Sequence, residues 1–213
     1  MTNFIPIFPL GIVVFPGETL HLHIFEPRYI QLINYCYAEA KPFGIPSVLN
    51  NAITEMGTLV EITEVAKIYE DGKMDIKVKG LQVFSILEVM KSLPDKLYSG
   101  AIVHYPTNNI TVKSAFMQTV LLLIRQMHAL LTIQKDFKKA DEYLTSYDVA
   151  HHAGLSIAEE YDLLVILTEL QRLEFLKRHL HKTIAVLKSA EHLKQRIQLN
   201  GHFKELKGFD LNF

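Results

Sequence analysis

The stretch TLVEITEVAKIYEDGKMDIKVK, residues 58–79, decides the fold. Val60, Ile62, Val65 and Ile68 precede Asp71-Gly72, and Met74, Ile76 and Val78 follow it. Apolar residues at roughly every second position mark strands with one buried face. Asp-Gly between two such runs is a hairpin signal, and it predicts a type I′ turn with positive φ at both central residues. Outward from this hairpin, Phe4–Phe8, Ile12–Phe15, Leu20–Phe25, Phe43–Leu49, Leu81–Val89 and Leu97–Tyr105 are further short apolar runs set between proline and glycine. They predict a mostly antiparallel β half. One helix interrupts it. Pro27 suits the first helical position, where a missing N–H costs nothing. Ile30, Leu32, Ile33, Cys36 and Tyr37 give that helix its apolar face, and Pro42 and Gly44 end it.

The chain changes character near residue 108. All eight prolines lie within residues 1–106. Pro106-Thr107-Asn108-Asn109 is a candidate linker between a β-rich part, 1–108, and a helical part, 109–213. Val112, Phe116, Val120, Leu123, Met127 and Leu130 have helical spacing, so 112–131 is predicted helical, with a short helix near 137–145. Ser156-Ile157-Ala158-Glu159 is a capping box, in which Ser and Glu satisfy each other's free N–H groups. The 3–4 spacing that follows it, from Ile157 through Leu187 and on toward Leu199, predicts one long helix or two joined by a kink.

Composition bounds the function. The chain has 213 residues, a formal charge of −1, 49% hydrophobic and 21% charged residues. These are globular values, and a chain of this length buries roughly 70% of its unfolded surface. A single cysteine, Cys36, cannot form an intrachain disulfide and points to a reducing, cytoplasmic setting. The opening MTNFIPIFPLG lacks the basic start of a signal peptide, and no apolar run is long enough for a membrane span.

The N-terminal series carries a resemblance. Ile5-Pro6-Ile7-Phe8-Pro9-Leu10, Val13-Val14-Phe15-Pro16-Gly17 and Leu22-His23-Ile24-Phe25-Glu26-Pro27-Arg28-Tyr29 together resemble the N-terminal substrate-binding domain of Lon ATP-dependent proteases. The similarity continues through Phe43-Gly44-Ile45, Gly57-Thr58, Asp71-Gly72 and the pair Gly80 and Phe84. It returns, more loosely, in Asp148-Val149-Ala150, Leu155 and Gln171-Arg172-Leu173-Glu174-Phe175-Leu176. Gln82 and Val83 stand where that family often has arginines, so a role for a basic residue there does not carry over. The resemblance implies an α+β fold: a PUA-like antiparallel β pseudo-barrel with one inserted helix, followed by an α-helical bundle with a long C-terminal helix. It also implies binding of peptides or unfolded proteins, with a separate ATP-dependent protease as an expected partner and an adaptor role in proteolysis. No G-x-x-x-x-G-K-[ST] loop and no serine nucleophile motif is present, so neither ATPase nor peptidase chemistry is expected.

Phe15, Phe25, Glu26, Arg28 and Tyr29 are the candidate peptide-contacting residues. Glu26, Arg28 and Tyr29 also have a scaffold reading, with Glu26 favouring a helix N-terminus and Tyr29 packing inside. Ten histidines raise the question of a metal, and His21-x-His23 would share one strand face. No third ligand accompanies them, so neither metal nor cofactor is expected. His151, His152, His179 and His181 are expected to be solvated. Residues 172–207 hold nine Lys/Arg against three acids, whereas 1–110 hold eight against eleven. A basic helix beside a PUA-like half is the alternative reading, RNA binding. Near-neutral overall charge disfavours nucleic acid, and a solvated face explains the cations more simply. The long helix also offers a surface for self-association. The tail 203–213, with Phe203, Phe209 and Phe213, is expected to dock on the body or a partner.

Overall fold

The computed structural model describes residues 2–111 and 114–202. The tail 203–213 and its expected docking lie outside them. Strands β1 (Thr2–Pro6), β2 (Thr19–Ile24), β3 (Phe43–Leu49), β4 (Ala52–Ile68), β5 (Met74–Met90) and β6 (Gly100–His104) form one sheet. Helix α1 (Pro27–Ala38) separates β2 from β3. Helices α2 (Ser114–Leu130), α3 (Ser146–Val149), α4 (Ile157–Val165) and α5 (Glu169–His202) follow the sheet. This is the expected α+β order.

The strand order is β1-β6-β5-β4-β3, every neighbour antiparallel. The chain then closes this sheet on itself. Beyond β1, Ile7 and Leu10 bridge Gly44 and Ser47 of β3 in parallel, and the N–H groups of Phe8 and Leu10 donate to the carbonyls of Gly44 and Pro46. The pseudo-barrel is thus sealed by the Ile7–Leu10 segment, whose Pro9 cannot donate to a ladder.

The two runs either side of Gly80 are one strand, β5, rather than two. A Cβ on Gly80 would lie 2.3 Å from the Phe15 carbonyl oxygen, so only glycine admits the chain crossing over it. β6 pairs with the second half of β5 and β2 with the first half. Phe84 explains two other glycines of the series. Its buried ring fills the space where a Cβ on Gly44 or Gly57 would stand, 2.8 Å from either.

Several expectations need correction. The β4–β5 hairpin exists, but only Gly72 has positive φ (82°). Gly72 N–H donates to Tyr69 O, and Tyr69 N–H to Lys73 O. That is a turn followed by a left-handed glycine, not type I′. Type I′ geometry occurs one hairpin earlier, where Asn50 (φ 50°) and Asn51 (φ 62°) join β3 to β4. Ile12–Phe15 forms no strand: Ile12 is exposed and Val13–Phe15 are buried, Val13 and Phe15 crossing toward the helices. Between α2 and α3 there is only a 3-10 turn, Asp141–Tyr143. The long helical pattern is broken at Ile166–Thr168. Asn109 pairs there, its N–H donating to Leu167 O and its carbonyl accepting from Glu169 N–H. The Ser156–Glu159 capping box forms as expected.

Three apolar clusters make the core. One lies between α1 and the β2-β5-β4 face and includes Leu32, Ile33, Cys36, Ile76 and Val78. A second fills the closed sheet around Phe84 and Ile7. The third belongs to the helices yet takes Val13, Phe15 and Val83 from the β half.

Arg172 fixes the junction. It is fully buried and uses all five donors: Nε to Ser146 Oγ (2.8 Å), Nη1 to Asn108 Oδ1 (2.9 Å) and Ile166 O (2.7 Å), Nη2 to Asn109 O (2.8 Å) and Glu169 Oε2 (2.7 Å). Its guanidinium also lies 4.2 Å from the Tyr147 ring centroid. Arg172 is therefore not part of a basic surface, and the Asn108-Asn109 linker is bolted down rather than free.

Two outcomes follow from this packing. Arg172→Ala leaves the Glu169 carboxylate buried and unpaired, and is expected to cost about 3–5 kcal/mol in urea unfolding. Cys36 is buried and its thiol is pushed up to about 12, first by burial. It is expected to resist a thiol reagent in the native state and to react fully once the chain is unfolded.

Candidate functional site

β2 is set apart by its outer edge. Among the described residues it pairs only with β5, in unbroken register from Thr19↔Lys79 to Ile24↔Met74. The opposite margin of the same three-stranded region is β4 beyond Val60, where pairing with β3 ends. That margin carries register shifts at Ile62/Glu64 and Val65/Lys67 and the charges Glu61, Glu64 and Lys67. Bulges and charges are how exposed edges are kept from pairing with other chains. β2, TLHLHI, has no bulge, proline or lysine. It offers six residues, about 20 Å, of regular edge.

At the far end of β2 stands Phe25, 58% exposed. Its ring is 6.1 Å from that of His23, and His23 Nδ1 is 2.6 Å from Asp75 Oδ1. Tyr69 donates to the other oxygen of Asp75 at 2.7 Å, and these two bonds hold the carboxyl below the usual carboxylate range. Glu26, at the N-terminus of α1, makes no side-chain cap; it accepts from Arg28 Nε at 2.9 Å instead. The Arg28 guanidinium lies 4.6 Å from the Tyr29 ring centroid. Tyr29 itself is buried, stacked on Phe8 at 3.9 Å, and burial pushes its hydroxyl up. Phe25, Glu26 and Arg28 thus share one surface, with Tyr29 as its support.

At the near end, Thr19 opens on a cleft of about 530 Å³ between the two halves. Pro16–Thr19 forms one wall. Lys135, Lys138, Tyr147 and His151 are on the other, with Leu144 also lining the cleft. Phe15, expected as a peptide contact, has no exposed surface. It lies behind this wall, its ring 5.4 Å from Tyr147 and 5.0 Å from His151.

His151 ties the halves together. Its Nδ1 is 2.7 Å from Glu160 Oε1 on α4, and its Nε2 is 3.2 Å from Glu18 Oε1 on the β half. Those two carboxylates, Glu160 first, raise its pKa to about 10. His152 behaves oppositely. Burial, helped by Lys135, pushes it down to about 4, and its Nδ1 is enclosed without a partner. His179 is largely covered and sits 3.2 Å from Glu159. Of the four histidines expected in solvent, His151 and His181 are exposed, His151 while bridging two carboxylates, and His152 and His179 are partly covered. Sequence reasoning passed over Lys135, Lys138, Tyr147 and His151 as a group; the His151-His152 doublet was their one local sign. No group of three or more metal-ligating side chains occurs among the described residues, and none of their helices is long and apolar enough to cross a membrane.

The model of the substrate-binding domain of ATP-dependent protease La (LON) matches residues 5–182. The chain belongs to this family. Two solved structures agree. A Lon N-terminal domain protein from Xanthomonas campestris superposes with a TM-score of 0.63 at 25% identity, covering 82% of this chain and 96% of that one. The N-terminal domain of the Mycobacterium avium complex Lon protease gives 0.61 at 15% identity, covering 84% and 98%. What is matched is the non-catalytic, substrate-binding part of Lon.

The His151 bridge sets a pH dependence. A histidine whose folded pKa is raised stabilises the fold fully below its ordinary 6.5 and loses that contribution as pH rises through about 10. The stability gap between the natural chain and His151→Gln, read from urea midpoints, is expected to be widest near pH 6 and to close toward pH 10.

Proposed function

We propose that this Lon-family domain binds extended segments of unfolded polypeptide along β2, with one end of the segment in the cleft and the other against Phe25. The observation that carries this reading is the unprotected β2 edge running between cleft and aromatic. An added strand would take its main-chain hydrogen bonds from that edge, which is indifferent to sequence. Side-chain preference would come from Phe25 and Arg28 at one end and Lys135 and Lys138 at the other. A module of this kind suits a domain that must accept many chains. Handing bound chains to a separate ATP-dependent protease, as an adaptor, is the role we assign it, in the cytoplasm where Cys36 stays reduced. RNA contact through α5 has less support, since Arg172 is internal and Lys182, Lys194 and Arg196 flank an aliphatic stripe.

The test is a fluorescence-anisotropy titration of a permanently unfolded, labelled model protein, with its folded form as control. The natural chain is expected to bind the unfolded form at micromolar concentration and ignore the folded one. Phe25→Ala removes an exposed side chain and is expected to leave the melting temperature unchanged. It is expected to weaken binding about tenfold, the scale of a central interface aromatic. Binding by this variant and by a Lys135→Glu/Lys138→Glu variant that equals that of the natural chain would overturn the assignment of the site.

A further inference from the structure

The far end of α5 leaves the body. From Lys188 to Gln198 every side chain is exposed. This segment lies beyond residue 182, where the family match ends, so the substrate-binding fold does not account for it. Val186 (62% exposed), Ala190, Leu193 (56%) and Ile197 (63%) recur at intervals of 4, 3 and 4 residues. That is the seam spacing of a coiled coil, with Val186 and Leu193 at d and Ala190 and Ile197 at a.

The stripe is narrow and aliphatic. A helix lying on a membrane surface presents a broader apolar face, commonly with Trp or Phe, and this one has neither. The positions flanking a seam choose its partner. Here they are Lys182, Leu187, Ser189, Lys194 and Arg196, cationic or neutral throughout. Glu191, the one acid between 182 and 198, falls on the outer side of the helix. A second copy of this helix would bring no anion to face Lys182, Lys194 or Arg196 in either orientation.

We infer that the exposed end of α5 is a docking strand for an acidic amphipathic helix of another protein. That helix would carry aliphatic residues at its seam and Glu or Asp on both flanks. Its apolar side chains cover Val186, Leu193 and Ile197. Its carboxylates pair with Lys182, Lys194 and Arg196, which gives both specificity and a fast, salt-sensitive encounter.

The probe is a synthetic peptide of about four heptads with Leu at a and d and Glu at e and g, beside a twin with Lys at e and g. Full-length protein is expected to bind the Glu peptide at least about tenfold more tightly than the Lys peptide, and less tightly as salt rises. Leu193→Asp/Ile197→Asp is expected to abolish that binding. Lys194→Glu/Arg196→Glu is expected to reverse the preference. All four positions are exposed, so unfolded-chain binding at β2 should be untouched, and the two sites can fail separately. Equal or absent binding of the two peptides would overturn the inference. So would a dimer in sedimentation equilibrium that Leu193→Asp dissolves, or capture of anionic vesicles or RNA lost in the same variant.

Discussion

The Arg172 guanidinium is the constraint on which the two halves depend. It collects the linker through Asn108 and Asn109, the start of α3 through Ser146, the end of α4 through Ile166, and its own helix through Glu169. Lysine could not do this, because a point charge with three donors lacks the planar five-donor fork. The bonds continue outward. Asn108 donates to the Tyr147 hydroxyl, and Tyr147 stacks on Phe15, which comes from the β half. Burying a charge is expensive unless every donor and acceptor is met, and here the guanidinium's donors all are. An error in the placement of any of these segments would leave a charge unsatisfied, so the junction has one stable arrangement.

That single arrangement positions the cleft. Tyr147 and His151 form its helical wall, and both press against Phe15. His151 adds a surface bond between Glu160 and Glu18. The hub therefore sets where the helical wall stands relative to Thr19, the first residue of β2. Without it, the open edge would be an isolated liability. With it, the edge continues into a wall of fixed geometry.

Much of this was legible locally. The Asp71-Gly72 hairpin, Pro27 at the start of α1 and the Ser156–Glu159 box each depend on residues a few positions apart, and each formed. The misreadings are those in which distant residues decide. Asp-Gly permits type I′ but also a single left-handed glycine, and the bulged partner strands select the latter. Arg172 was counted with its cationic neighbours because nothing within α5 shows that Ser146 and Asn108 meet it. Phe15 and Phe25 read alike in sequence, each beside a proline motif. One crosses into the shared core and the other ends an edge strand. The break before α5 did leave a trace: Thr168 and Gln171 have capping-box spacing, and Thr168 Oγ1 donates to Gln171 Oε1 at 2.7 Å.

The two margins of the β2-β5-β4 region give the site its meaning. Both are solvent-facing edges of the same sheet, made by the same chain, under the same hazard of pairing with any passing strand. One is guarded by bulges and by charges of both signs. The other is regular, carries only threonine, leucine, histidine and isoleucine, and ends on an exposed phenylalanine. If exposure were merely tolerated, the same protection would serve on both sides at little cost, since a surface lysine or a bulge changes stability only slightly. The asymmetry is what a surface used for pairing would show. Its location supports the same reading: the unguarded margin is the one that leads into the cleft, while the guarded one, at Glu61 and Ile62, borders α1 and the turn that leads into β3.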